Sequence, residues 1–142
     1  MRVIVTNAQR RYPVSKKRIE HLGQCAITRL KIGERGTFSV VFLSPQQMRI
    51  MNRRSLRHDH VTDVISFRYK NEPIIGEIFV APAVAAAYAR KHRLSYDEEL
   101  ARYVVHGLLH WIGHTDDTKQ RQLRMRTLED KVLRKCMNEY SL

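Results

Sequence analysis

The sequence predicts an α+β fold, a small sheet of about four strands packed with about five helices, and three observations point to it. Four short runs are rich in β-branched and aromatic residues, at Val3 to Asn7, Thr37 to Leu43, Val64 to Phe67 and Ile74 to Val80. Between and after them, longer stretches carry apolar residues at helical spacing behind recognisable start signals. The 142 residues suit one hydrophobic core, so 1–142 reads as a single domain without linker or repeat.

Taken in order, Val3-Ile4-Val5 opens the first strand. Arg10 and Arg11 follow in a loop closed by Pro13, and Ser15 caps a helix through Ile19, Leu22, Cys25, Ala26 and Leu30. Lys16, Lys17 and Arg18 crowd its first turn against the helix dipole, either solvated or there for phosphate. Gly33 and Gly36 turn the chain into the second strand. Ser44-Pro45-Gln46-Gln47 reads as a capping box with proline at the first helical position. That helix leads to Arg49, Arg53, Arg54, Arg57, His58 and His60. The third and fourth strands flank Lys70-Asn71-Glu72-Pro73 and read as a hairpin. Pro82 starts an alanine-rich helix to His92, and Ser95-Tyr96-Asp97-Glu98 is a second capping box. Asp117 and Thr118 can cap a last helix whose packing stripe is Leu123, Leu128, Val132 and Leu133.

The strongest chemical signal lies at the end of the fourth helix, in His106-Gly107-Leu108-Leu109-His110-Trp111-Ile112-Gly113-His114-Thr115-Asp116. At ~100° per residue, histidines four apart are offset by only ~40° and stand roughly 6 Å apart along the axis. Both imidazoles can therefore reach one ion. Their neighbours are apolar, so they are expected on a buried helix, where imidazoles need partners. Gly113 ends the helix and can turn the chain so that Asp116 joins the pair; His114 is the rival third ligand. Three protein ligands leave a fourth position open, the arrangement of a catalytic zinc site. The H-E-x-x-H protease pattern is excluded, because Gly107 stands where that chemistry needs glutamate. Glu99 lies on the same stripe, most simply as a solvated surface acid.

A net charge of +12, from 26 Lys and Arg against 14 acids, points to a polyanionic partner, and nucleic acid is the natural one. No apolar run approaches the ~18 residues of a membrane span and no secretory signal opens the chain, so the expectation is a cytoplasmic protein without membrane contact. Cys25 and Cys136 lie far apart in sequence and are expected as reduced, buried thiols.

The His106 to Asp116 stretch resembles the H-G-x-L-H-x-x-G-x-[DH]-H motif of the YbeY family, metal-dependent bacterial endoribonucleases of ribosomal RNA maturation. Asn52, Thr62-Asp63-Val64-Ile65-Ser66-Phe67 and Ile75-Gly76-Glu77-Ile78 are similar to that family's other blocks, in the same order, over roughly the last two-thirds of the chain. Two positions depart from the pattern. Asp116 stands where the family usually has histidine, and Leu56, followed by Arg57, stands where it usually has a basic residue. The resemblance implies a mixed sheet flooring a metal cleft, which Asp63, Ser66 and Glu77 could approach, with turn capping and edge-strand polarity as their competing roles and the favoured ones for Glu77. It implies one Zn²⁺ per chain on His106, His110 and Asp116, cleavage of single-stranded RNA in small-subunit ribosomal RNA 3′-end processing and ribosome quality control, and ribosomal subunits or assembly proteins as partners. Asp63, His114 and Arg57 are the candidate catalytic groups, and Arg53, Arg54, Arg57 and Lys70 the candidate RNA contacts. The competing expectations are an RNA-binding assembly factor with a structural zinc and a metal-dependent hydrolase of another substrate.

Overall fold

A computed structural model describes residues 1–56, 64–71 and 73–141, with side chains through Arg54 and from Val64 to Met137, residue 72 excepted. The elements run β1 (Arg2–Asn7), α1 (Lys16–Arg29), β2 (Thr37–Phe42), α2 (Pro45–Leu56), β3 (Val64–Arg68), β4 (Ile74–Val80), α3 (Pro82–His92), α4 (Tyr96–Trp111) and α5 (Lys119–Ser141). Among the described residues this is the expected α+β fold of four strands and five helices.

The sheet order is β1-β2-β4-β3, with β1, β2 and β4 parallel and β3 antiparallel along one edge. Parallel neighbours need a crossover, and α1 supplies it between β1 and β2. Centrally placed β2 is correspondingly apolar, with Phe38, Ser39, Val40 and Phe42 buried. The start signals act as the sequence predicts. Ser15 Oγ accepts the Arg18 N–H, and Ser44 and Gln47 close a reciprocal capping box at 2.8 and 3.2 Å. Ser95 Oγ and Thr118 Oγ1 cap α4 and α5 through the Glu98 and Arg121 N–H groups.

Alternate strand residues build two clusters. The larger joins Val3, Phe38, Val40, Ile78 and Val80 to α1, α4 and α5. On the other face, Ile65, Phe79, Leu43 and Ala81 pack with Met48 of α2. In α5 the inward residues are Met125, Glu129, Val132, Leu133 and Cys136. Leu123, expected on that stripe, is 63% exposed, because the buried face begins at Met125.

The two cysteines correct the sequence reading. Cys25 of α1 and Cys136 of α5 form a disulfide with Cα atoms 5.8 Å apart. Helices α1 and α5 pack side by side, so a separation of 111 residues in sequence does not keep the thiols apart. A link of this kind restricts the unfolded chain and contributes about 2–4 kcal/mol.

Two glycines let α4 lie directly on the sheet. A Cβ on Gly107 would stand 2.8 Å from Val64 Cγ1 and 3.0 Å from Ile78 Cδ1, so a glutamate here would be driven into β3 and β4. Opposite the helix end, a Cβ on Gly76 would meet the Trp111 indole at 2.5 Å and Phe38 Cδ2 at 2.7 Å. Trp111 packs edge-on to Phe38, with ring centroids 5.2 Å apart. The Arg68 guanidinium stacks 3.9 Å from the centre of the indole and donates to Trp111 O at 2.9 Å. Rigid rings on both sides cannot yield cheaply. Gly76→Ala is expected to cost about 1–3 kcal/mol in chemical unfolding and to alter Trp111 fluorescence; unchanged stability and emission would contradict this contact.

Candidate metal centre

Helix α4 carries His106 and His110 on one line, and its C-terminus delivers the third group. The His114 N–H donates to Leu109 O and the Gly113 N–H to His110 O, both at 3.0 Å, which is a Schellman motif. Gly113 occupies the left-handed position at φ +108°. The reversed chain brings Asp116 back to the histidines. His106 Nε2 and His110 Nε2 are 2.9 Å apart, and Asp116 Oδ2 lies 3.5 Å from the first and 3.6 Å from the second. Ligand atoms ~2.1 Å from a tetrahedral zinc stand roughly 3.4 Å apart, and the three separations bracket that spacing. Among the described residues, these three form the group that could hold a metal ion.

Hydrogen bonding on the far side of each ring strengthens this fit. His110 Nδ1 is 2.9 Å from the His114 carbonyl, which can only accept, so the ring proton sits on Nδ1 and Nε2 presents a lone pair. His106 Nδ1 meets the buried Glu129 carboxylate, which likewise favours a proton on Nδ1. With the ring protons on Nδ1, two imidazole nitrogens and a carboxylate oxygen converge on one point, an arrangement that a metal ion or a shared proton stabilises. Of the two rivals, His114 offers its carbonyl to the His110 ring, and Asp116 is the one whose side chain lies with the histidine pair.

Glu129 was not singled out in the sequence. It is 4% exposed and also accepts from Arg102 at 3.1 Å. Arg102 further reaches Asp130 at 2.8 Å and Glu99 at 3.8 Å. Burial opposes the Arg102 charge, but the hydrogen bonds it donates to Asp130 and Glu129 outweigh it and raise its pKa. The signal for Glu129 was present: it is the acid on an otherwise apolar stripe, four residues after Met125 and three before Val132. Glu99, read as solvated, is 5% exposed. Burial raises its pKa, only partly countered by Arg102 and Arg126.

The centre stands between two clefts. One, about 490 Å³, holds His106 and Asp116 with Tyr88, Tyr103 and Arg126 on its walls. The other, about 360 Å³, brings His110 together with Ser66, Arg68 and Trp111. Ser66 thus approaches the site as expected. Glu77 does not. It pairs with Phe67 on the opposite face of the sheet, where it accepts from Ser39 Oγ and Tyr69 Oη, each at 2.9 Å. Burial, followed by that carboxylate, pushes the Tyr69 phenol up to about 12. Arg53 and Arg54 are exposed in the last turn of α2, Lys70 is exposed in the hairpin turn, and Asn52 is buried. Neither cleft includes Arg53, Arg54 or Lys70. Arg57 and Asp63 lie outside the described residues.

Two substitutions separate support of the centre from bulk stability. Glu129→Gln keeps the shape but weakens the hold on His106, and is expected to reduce metal affinity about 10–100-fold in a titration of the folded protein. Equal affinity in the two proteins would contradict the orienting role. For Glu99 the folded-state pKa is raised, so its contribution to stability is full below the ordinary 4.5 and is lost as pH rises through the raised value. Glu99→Gln is therefore expected to raise the thermal midpoint at neutral pH, with the gain fading in acid. A loss of stability at neutral pH would show that its pairing with Arg102 dominates.

The comparisons agree with this geometry. The family described as Endoribonuclease YbeY matches residues 4–137. The Endoribonuclease YbeY of Chlorobaculum tepidum is 31% identical over 127 residues, spanning 86% of this chain and 93% of that one. Its counterpart from Chlorobium limicola is 36% identical over 102 residues, 71% of this chain and 68% of that one. A Thermotoga maritima protein solved in solution shares the fold, with a TM-score of 0.62 at 23% identity over 92% of this chain and 89% of that one. With the match running through β1 to α5 and including the histidine helix, the chain belongs to the Endoribonuclease YbeY family.

Proposed function

We propose that this protein is a zinc-dependent endoribonuclease that cleaves single-stranded RNA in ribosomal RNA maturation. One observation carries the metal part: three lone-pair donors meet at a single point beside open clefts. Two imidazoles and one carboxylate are a donor set suited to zinc, and three ligands leave a position for water or substrate. The RNA part rests on relatives named as endoribonucleases and on the net charge of +12.

When bound, the zinc supplies Lewis acidity at the phosphoryl oxygen and a more acidic water. The chain's own groups do the rest. Glu129 and the His114 carbonyl hold the two rings in the tautomer that presents Nε2. Arg126, on the wall beside His106 and Asp116, can offset phosphate charge. Asp63 and His114 are proposed to move the proton and Arg57 to steady the reacting phosphate, with Arg53, Arg54, Arg57 and Lys70 holding the strand to either side. Small-subunit ribosomal RNA, met in the cytoplasm with ribosomal assembly partners, is the substrate proposed.

The test is cleavage of a labelled single-stranded RNA by the purified protein, by chelated protein, by zinc-restored protein and by Asp116→Ala. Chelation is expected to abolish cleavage, zinc to restore it, and the variant to lose about a hundredfold or more. Cleavage that persists after verified metal removal would overturn the metal mechanism. Salt-sensitive binding without any cleavage by zinc-loaded protein would overturn the enzyme.

A further inference from the structure

The loops that follow β1 and β2, with the first turns of α2 and α3, line a crevice of about 610 Å³ beyond the carboxyl ends of the three parallel strands. Its position follows from the topology. Adjacent strands β1 and β2 send their chains to opposite faces, since Ile19 and Leu22 of α1 pack in the cluster with Val3 and Phe38, whereas Met48 of α2 packs with Ile65 and Phe79. A crevice opened in this way is where open α/β sheets bind ligands. The centre described above does not use it.

Its lining has two characters. Leu43, Pro45 and Ala83 form an apolar wall, while Arg10 and Arg11 stand at its edge beside the amides of Gln46 and Gln47. The arginine loop is held in place from beneath. Buried Gln9 donates to Asn7 Oδ1 at 2.9 Å and Tyr12 O at 2.8 Å, and accepts the Tyr12 N–H at 3.0 Å. Arg11 also lies 5.6 Å over the Tyr12 ring. Two cations on a fixed loop, beside a flat apolar wall and side-chain amides, suit a phosphate joined to a planar base. The crevice is also next to the metal cleft: Ala83 lines one and its neighbour on α3, Val84, lines the other with His106 and Asp116.

We propose that this crevice is a nucleotide subsite, which seats one unpaired base of the RNA with its phosphate on Arg10 and Arg11 while the strand continues past α3 to the metal. The proposal rests on the RNA-cleaving reading of the metal centre. The base lies against Leu43 and Ala83, and the Gln46 amide meets its polar edge. The subsite thereby fixes where along the strand the scissile bond falls.

Titrating adenosine monophosphate into isotope-labelled protein is expected to move the backbone amide signals of Gln46, Gln47 and Ala83. In an Arg10→Ala/Arg11→Ala variant those shifts should disappear, the KM for single-stranded RNA should rise more than kcat changes, and the salt slope of RNA binding should fall by about two. Gln46→Glu, whose acid suits the first turn of α2, should weaken both ligands with the fold intact. Signals that do not move, or that move equally in the variants, would overturn the subsite. Mononucleotide binding that leaves RNA binding, KM and salt slope unchanged would assign the crevice to a free nucleotide and overturn it for RNA. Were no cleavage seen in any protein, the salt slope would still decide the crevice, and only the cleavage reading would fail.

Discussion

The Nε2 atoms of His106 and His110 face each other across 2.9 Å, as two lone pairs when the ring protons sit on Nδ1, and the surroundings of α4 keep them there. Left alone, these lone pairs repel and the rings would rotate apart. Glu129 prevents this for His106 and the His114 carbonyl for His110, so the fold holds a polar arrangement that a cation completes. Gly107 and Gly76 let α4 seat on the sheet, Gly113 returns the chain to bring in Asp116, and α5 must dock for Glu129 to arrive. Each of these serves the same small volume.

The buried ionic chain behind His106 shows how so polar a device is tolerated inside the protein. Glu129 would be costly to bury alone, but it is shared between His106 and Arg102, and Arg102 is shared in turn with Asp130. Glu99 is the uncomfortable member, with its carboxyl pKa raised mainly by burial. Function explains why such groups persist where apolar residues would pack more simply: the orientation of one imidazole depends on them. The net charge of +12 acts at longer range and favours encounter with a polyanion.

Much of this was legible in sequence because it depends on local spacing. Histidines four apart and a glycine after the helix suffice to pair His106 with His110 and to narrow the third group to Asp116 or His114, and the caps at Ser15, Ser44 and Ser95 depend only on near neighbours. What escaped is set by packing between distant segments. Glu129 meets His106 across 23 residues, and Cys25 meets Cys136 across 111. The resemblance let Glu77 approach the metal, with strand polarity its favoured role, and the pleat does send it to the other face from Gly76 and Ile78. Leu123 fits an apolar stripe by spacing, but α5 is not yet against the core at that turn.

The central claim is that His106, His110 and Asp116 form one site for one cation, and metal stoichiometry tests it most directly. Purified protein stripped of metal and titrated with zinc under calorimetry should bind one equivalent per chain. His110→Ala should remain folded by circular dichroism and lose that binding. Absence of a one-to-one site in the wild-type protein, or its survival in the folded variant, would contradict the convergence on which the whole reading depends.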